Sequence, residues 1–201
     1  MSWKETYQAW VDEPRLAADL KQELTTMTDE EKEDAFYGPL SFGTAGMRGL
    51  MGPGTNRMNV YTVRQATAGL AALMESLGDE IKQRGVAIGY DSRHHSAEFA
   101  HDCARVLGAH QIPVFIYDNV RPTPELSFAV RYNHAYAGIM ITASHNPKEY
   151  NGYKIYGEDG GQLPPKESDQ MTAFIRQIDD VFGIELADEQ AMLTSWNKSF
   201  T

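Results

Sequence analysis

The sequence predicts an α/β protein: three layers, α/β/α, around a mostly parallel sheet with a mixed edge, preceded by a helical arm. Three observations predict it. Apolar runs at 86–90, 113–117 and 137–141 have the composition and length of buried strands. Helical patterns fill the intervals between them, which is the spacing of β-α-β units. Two of the runs open into polar, turn-rich segments, 91–96 and 142–148. These fall together at the carboxyl edge of the sheet, where such folds bind ligands.

In chain order, residues 3–37 place Trp3, Tyr7 and Trp10, then Leu16, Leu20 and Leu24, at helical spacing, and Pro14 divides two helices. Thr28-Asp29-Glu30-Glu31 has the capping-box pattern and starts a third, short helix. The acidic density of this part reads as an exposed helical arm, with partner binding as an alternative. Glycines then crowd 42–57. Asn59 caps a helix over 60–77, whose Val63, Ala66, Leu70, Leu73 and Leu77 form one stripe. The strand at 86–90 leads into a helix ending near His110, and the strand at 113–117 follows. Thr123-Pro124-Glu125 supplies a cap and a proline at the first helical position, opening a helix to about Tyr132. After the strand at 137–141 the chain turns back through a short strand, 152–156, and Asp159-Gly160 suits a hairpin turn. Pro164-Pro165 opens a helix to about Ile178, and 188–200 reads as a further helical piece. The ending Ser199-Phe200-Thr201 reads as a cut at a domain boundary.

Composition narrows the function classes. The 201 residues are 42% hydrophobic and 23% charged, which suits a soluble globular protein with a real core. No apolar run approaches the roughly 20 residues needed to cross a bilayer, and the acidic N-terminus is no signal peptide. The single cysteine, Cys103, forms no internal disulfide and reads as a buried thiol, so a reducing, cytoplasmic location is expected. A net charge of −10 argues against sequence-independent nucleic-acid binding. It does not exclude an anionic small molecule, because a few cations and backbone N–H groups can set the field of a cleft. Arg48, Arg57, Arg64, Arg93, Lys148 and Lys154 lie near glycines or turn residues and could converge on such a ligand. Lys4, Lys21, Lys32 and Lys82 lie among acids on helical faces.

The most specific stretch is Thr142-Ala143-Ser144-His145-Asn146-Pro147, followed by Gly152-Tyr153-Lys154. It offers a hydroxyl at the end of a strand beside an imidazole and close to an ammonium. Residue types alone leave open a structural turn, a phosphoryl-accepting serine and an acyl-transfer serine. Neighbours on an extended segment diverge, so His145 is badly placed as a base for Ser144, and the Gly-x-Ser-x-Gly elbow is absent. A phosphoserine explains more of the surroundings, since His145, Lys148 and Lys154 could stabilise a dianion. The three glycines of 42–49, with Arg48, could likewise admit an anion or simply make a turn; they are not a Walker loop. Asp91-Ser92-Arg93 reads as a cap for the following helix and an anchor for a loop through a local ion pair. His94, His95 and His101 lack zinc spacing, and Tyr150, Tyr153 and Tyr156 read as packing.

Taken together these segments resemble the N-terminal domain of the α-D-phosphohexomutases, the phosphoglucomutase/phosphomannomutase family. The resemblance rests on Phe42-Gly43-Thr44-Ala45-Gly46-Met47-Arg48-Gly49, Gly89-Tyr90-Asp91-Ser92-Arg93 and Thr142-Ala143-Ser144-His145-Asn146-Pro147, with Asn151-Gly152-Tyr153-Lys154 after the last. Met140 to Lys148 is most similar to the branch of bacterial phosphoglucomutases and phosphopentomutase-like enzymes, which favours a glucose phosphate. The domain boundaries implied are an arm at 1–37, domain I at 38–182 and, at 183–201, the start of a connection to a second domain.

The resemblance implies that Ser144 carries a phosphoryl group and, through it, one ligand of Mg²⁺. The phosphoserine would donate to a sugar 1- or 6-phosphate, giving a sugar 1,6-bisphosphate intermediate whose other phosphate returns to the serine. His145 and Lys154 would be the catalytic acid/base and charge-stabilising groups, and Thr44 and Arg48 would line the phosphate site. Members have four domains around one cleft. The Asp-Gly-Asp-Gly-Asp-Arg metal loop of the second domain, the sugar loop of the third and the phosphate loop of the fourth have no counterpart here. The partners implied are therefore a phosphosugar and the remaining mutase domains, with no nucleic acid or membrane. By this reading the 201 residues alone fold but turn over little substrate. A stand-alone phosphosugar-binding module and a serine hydrolase are the readings from other classes.

Overall fold

A computed structural model describes residues 2–43 and 46–188. The arm forms α1 (Trp3–Asp12), α2 (Ala18–Thr26) and α3 (Asp29–Phe36). Ser2 and Thr28 each complete a capping box, with Glu5 and Glu31, so both helix starts are satisfied by residues three apart. Then come β1 (Gly46–Leu50), α4 (Val60–Ser76), α5 (Asp79–Arg84), β2 (Val86–Tyr90), α6 (Ser96–Ala109), β3 (Val114–Ile116), α7 (Thr123–Tyr132), β4 (Ala137–Ile141), β5 (Tyr150–Tyr156) and α8 (Pro165–Ile175). Asn59 caps α4 as expected: its side chain accepts from Thr62 N at 3.0 Å, and the Thr62 hydroxyl accepts from Asn59 N at 3.1 Å.

The five strands lie in the order β1-β5-β4-β2-β3. β2 is parallel to β3 and β4, whereas β5 is antiparallel to both β4 and β1. The antiparallel side is thus larger than the expected mixed edge. The cause is β1, whose glycines conceal a period of two. Met47 is buried and Arg48 exposed, while Gly46 and Gly49 show no side chain to reveal the pattern. The short helix α5 was also absent from the sequence reading, although acids in its first turn and bases in its last suit the helix dipole.

Each face of the sheet has its own core. One holds Ile88, Ile139, Ile141, Tyr153 and Ile155 with residues of α4, α6 and α8. The other holds Ala87, Met140 and Tyr156 with Leu126, Ala129 and Val130 of α7. α7 rests on β2 and β4. It does so closely because Gly138 faces it: a Cβ there would stand 2.6 Å from the Val130 side chain.

The arm does not project. Trp10, Leu24 and Phe36 are buried, and Trp10 meets Phe36, Tyr61 and Phe182 edge to face at 5.6, 5.7 and 5.1 Å. The Tyr61 hydroxyl accepts from Ala17 N at 2.8 Å and donates to Arg15 O at 2.9 Å, fastening the α1–α2 corner to α4. The acids seen in the sequence lie on the outer faces of helices whose inner faces are apolar. The helix expected over 188–200 falls, but for Asp188, outside the described residues.

Candidate active site

Ser144 lies in the turn that follows β4, at the carboxyl end of the parallel strands. Its backbone is left-handed, φ 57°, a conformation that side-chain-bearing residues seldom adopt, and the residue is exposed. The segment is a turn, as the sequence indicates, so the alternation of an extended strand does not set the side-chain directions of Ser144 and His145. Thr142 builds the turn. Its backbone N–H donates to Gly152 O at 2.9 Å, continuing the β4–β5 ladder, and its hydroxyl accepts from Ser144 N at 2.9 Å. Asn146 N closes the turn onto Ala143 O at 3.1 Å. No hydrogen bond joins His145 to Ser144 among the described residues.

β5 and β1 bring two cations alongside. In the register Gly46 faces Lys154 and Arg48 faces Gly152, so Arg48 and Lys154 share a sheet face, the face that carries α7 farther along. Gly152 leaves room for the turn, since a Cβ there would come within 2.6 Å of Thr142 O. The phase of β5 is set from the opposite face by Tyr153. That ring is fully buried, and its hydroxyl lies 3.3 Å from the Thr67 hydroxyl, which in turn lies 3.3 Å from Cys103 Sγ. Burial pushes the Tyr153 phenol well above its ordinary range and the Cys103 thiol up to about 12.

The six cations singled out in the sequence do not all converge. Arg57 is 8% exposed and pairs with Asp34 at 2.6 Å, and Arg64 pairs with Asp102 at 2.7 Å. Both act in packing elements away from Ser144. Burial raises the Asp102 carboxyl even so, because desolvation outweighs the attraction of Arg64. Arg48, Lys148 and Lys154 have no carboxylate partner among the described residues. Arg48 lies opposite Gly152, whose carbonyl accepts from Thr142 N, two residues before Ser144. Thr44 lies outside the described residues.

Arg93 reaches beyond the local ion pair that the sequence discloses. Its Nη2 donates to Ser144 O at 2.8 Å and Asn146 O at 2.6 Å, and its Nη1 donates to Pro147 O at 2.8 Å and Tyr150 O at 3.1 Å. Asp91, read as its local partner, does face Nε at 3.4 Å and accepts from Arg93 N at 3.0 Å. Beneath them Ser96 Oγ donates to Asp91 Oδ1 at 2.7 Å and accepts from the buried Asn151 Nδ2 at 3.0 Å. Asp and Arg two residues apart signal a local pair, whereas carbonyl acceptors leave no signature in a sequence.

No group of three His, Cys, Asp or Glu side chains that could hold a metal occurs among the described residues. No helix of the described residues is long and apolar enough to cross a membrane.

The model of the family "Phosphoglucomutase/phosphomannomutase, alpha/beta/alpha domain I" matches residues 39–182. A phosphoglucomutase of Staphylococcus saprophyticus is 46% identical over 174 residues, covering 87% of this chain and 31% of its own length. One from Staphylococcus aureus strain USA300 is 45% identical over 159 residues, 79% of this chain and 28% of its own. Among solved structures, one assigned as a phosphomannomutase from Thermus thermophilus aligns with a TM-score of 0.63 at 29% identity, over 72% of this chain and 31% of that one. A phosphoglucomutase/phosphomannomutase family protein of Burkholderia thailandensis aligns at 0.55 and 22% identity, over 73% of this chain and 31% of its own, a likeness of fold. The chain spans about a third of the length of the curated relatives it matches.

Proposed function

The chain belongs to the phosphoglucomutase/phosphomannomutase family, and we propose that it carries the phosphoserine of a mutase interconverting sugar 1-phosphates and 6-phosphates, with glucose favoured. The observation that carries this is Ser144 itself. It is an exposed hydroxyl on a left-handed residue at the carboxyl end of a parallel strand, in the turn that leads to β5, the strand that carries Lys154 and pairs with the Arg48 strand.

In this reading the bond between phosphorus and Ser144 Oγ breaks as a sugar hydroxyl attacks in line, and the sugar's proton passes to a neighbouring base. The product is a sugar 1,6-bisphosphate, which also primes an unphosphorylated enzyme. Its other phosphoryl group then returns to Ser144. Such transfers depend on positioning and on neutralising charge more than on covalent help. Arg48 and Thr44 would hold phosphate oxygens, while Lys154 and His145 would handle the proton and stabilise the departing oxygen.

Mg²⁺ would neutralise part of the phosphate charge; the residues described here supply at most one of its ligands, the phosphate oxygen on Ser144. The further domains found in longer relatives would supply the rest, together with the sugar contacts, in a cytoplasmic setting. The protein purified from its own cells should convert glucose 1-phosphate to glucose 6-phosphate, and Ser144→Ala at its gene should abolish that conversion. Undiminished conversion by the variant would refute the reading. Saturable phosphosugar binding without any conversion would point instead to a binding module.

A further inference from the structure

We infer that Arg93 is a positioning residue that turns the N–H groups of His145 and Lys148 toward the phosphate on Ser144. The inference rests on the phosphoserine reading for its purpose and on the loop geometry for its content. A guanidinium has five N–H donors in a rigid plane. In Arg93 four of them are spent on the carbonyls of Ser144, Asn146, Pro147 and Tyr150, and the fifth faces Asp91. One side chain thereby fixes the course of the segment that joins β4 to β5.

The consequence follows from peptide geometry. All described peptide bonds are trans, and in a trans peptide the C=O and the following N–H point in opposite directions. Holding Ser144 O against Arg93 therefore turns the His145 N–H away from the guanidinium, and holding Pro147 O does the same to the Lys148 N–H. The Asn146 carbonyl precedes Pro147, which has no N–H, so its bond costs the site no donor. The Arg93 side chain is 15% exposed and Ser144 is exposed, so the guanidinium is the more buried of the two. Neither the His145 nor the Lys148 N–H has a partner among the described residues. Two backbone donors with no other partner among the described residues are thus turned away from Arg93, in the loop that carries the φ 57° residue.

The support beneath Arg93 is satisfied, and its Ser96 and Asn151 are buried. Asp91 Oδ1 accepts from Arg93 N and Ser96 Oγ, and Asn151 Nδ2 donates to Ser96 Oγ and, at 3.0 Å, to His94 O. Asn151 Oδ1 accepts from Gly152 N at 2.8 Å, which ties the network to β5. A lysine at 93 would keep the charge but has three donors on a rotating head, too few for four carbonyls.

The test uses the ¹⁵N-labelled protein with phosphoserine genetically encoded at position 144, compared with its Ser144 form and with the same pair carrying Arg93→Lys. With Arg93, the amide protons of His145 and Lys148 should move downfield when the phosphate is present. The second ionisation of the phosphoserine should lie below its free value of about 6. With Arg93→Lys the two amides should stay in place and the ionisation should return toward the free value. Equal downfield movement in both backgrounds, or none with Arg93, overturns the inference. Should Arg93→Lys fail to give a dispersed spectrum, Arg93→Gln is read in the same way. Because the phosphate is encoded and not transferred, failure of the mutase reading would leave this outcome unaffected.

Discussion

The hydroxyl groups of Tyr153 and Thr67 share a hydrogen bond of 3.3 Å inside the protein, one residue along β5 from Lys154. Because successive strand residues face opposite ways, burying Tyr153 commits Lys154 to the face that Arg48 occupies. Tyr153→Phe keeps the ring and so the phase of β5. Thr67 keeps its bond to Val63 O at 2.8 Å, so no buried donor is orphaned. The expected loss is about 1 kcal/mol in urea unfolding. Tyr153→Ala, which empties a fully buried site, should cost about 3–5 kcal/mol.

Cys103 gives a pH dependence whose sign can be stated. Its thiol is held up to about 12 in the folded protein by burial, against an ordinary value of 9.0. Between these values the unfolded chain releases the proton and the folded one keeps it, so unfolding is favoured as pH rises. The stability that Cys103 contributes is fully present below pH 9 and declines toward pH 12. The stability difference between the parent and Cys103→Ala, measured by denaturant titration, should shrink across that window. A difference independent of pH would show that the thiol is not shielded.

Ser144 is held in a conformation that suits glycine. Left-handed backbone costs a side-chain-bearing residue about 1–2 kcal/mol, so Ser144→Gly should raise stability by about 1 kcal/mol. The same variant should accept no phosphoryl group. A gain in thermal midpoint together with loss of phosphorylation would identify the strain as retained for function. A loss of stability would argue against it.

Trp10 anchors the arm. It is 4% exposed and ringed by Phe36, Tyr61 and Phe182. Trp10→Ala should cost about 3–5 kcal/mol and release α1 and α2 to proteolysis before the sheet unfolds. Unchanged protease resistance would mean that the arm is held by other contacts.

What was legible in the sequence followed from how far apart the cooperating residues are. The α4 cap was legible because Asn59 and Thr62 are three residues apart, and the strands at β2 and β4 because burial on both faces makes them apolar throughout. The serine turn was legible as a motif. Strand β1 was hidden because Gly46 and Gly49 carry no polarity to mark a face. The docking of the arm was hidden because the partners of Trp10 lie on α4 and beyond α8. The Asp91–Arg93 ion pair was legible because its members are two residues apart, whereas the other acceptors of Arg93 were not, being carbonyls 51 to 57 residues along the chain, and every residue has a carbonyl.

The most direct measurement maps phosphate on the protein as isolated from its own cells with phosphatases inhibited. Tandem mass spectrometry of the peptide containing Ser144 should find one phosphoryl group on that residue. It should be discharged by glucose 1-phosphate and restored by glucose 1,6-bisphosphate. A Ser144 that stays unmodified in a preparation active on glucose 1-phosphate, or a phosphoryl group that sits elsewhere and turns over, would contradict the account.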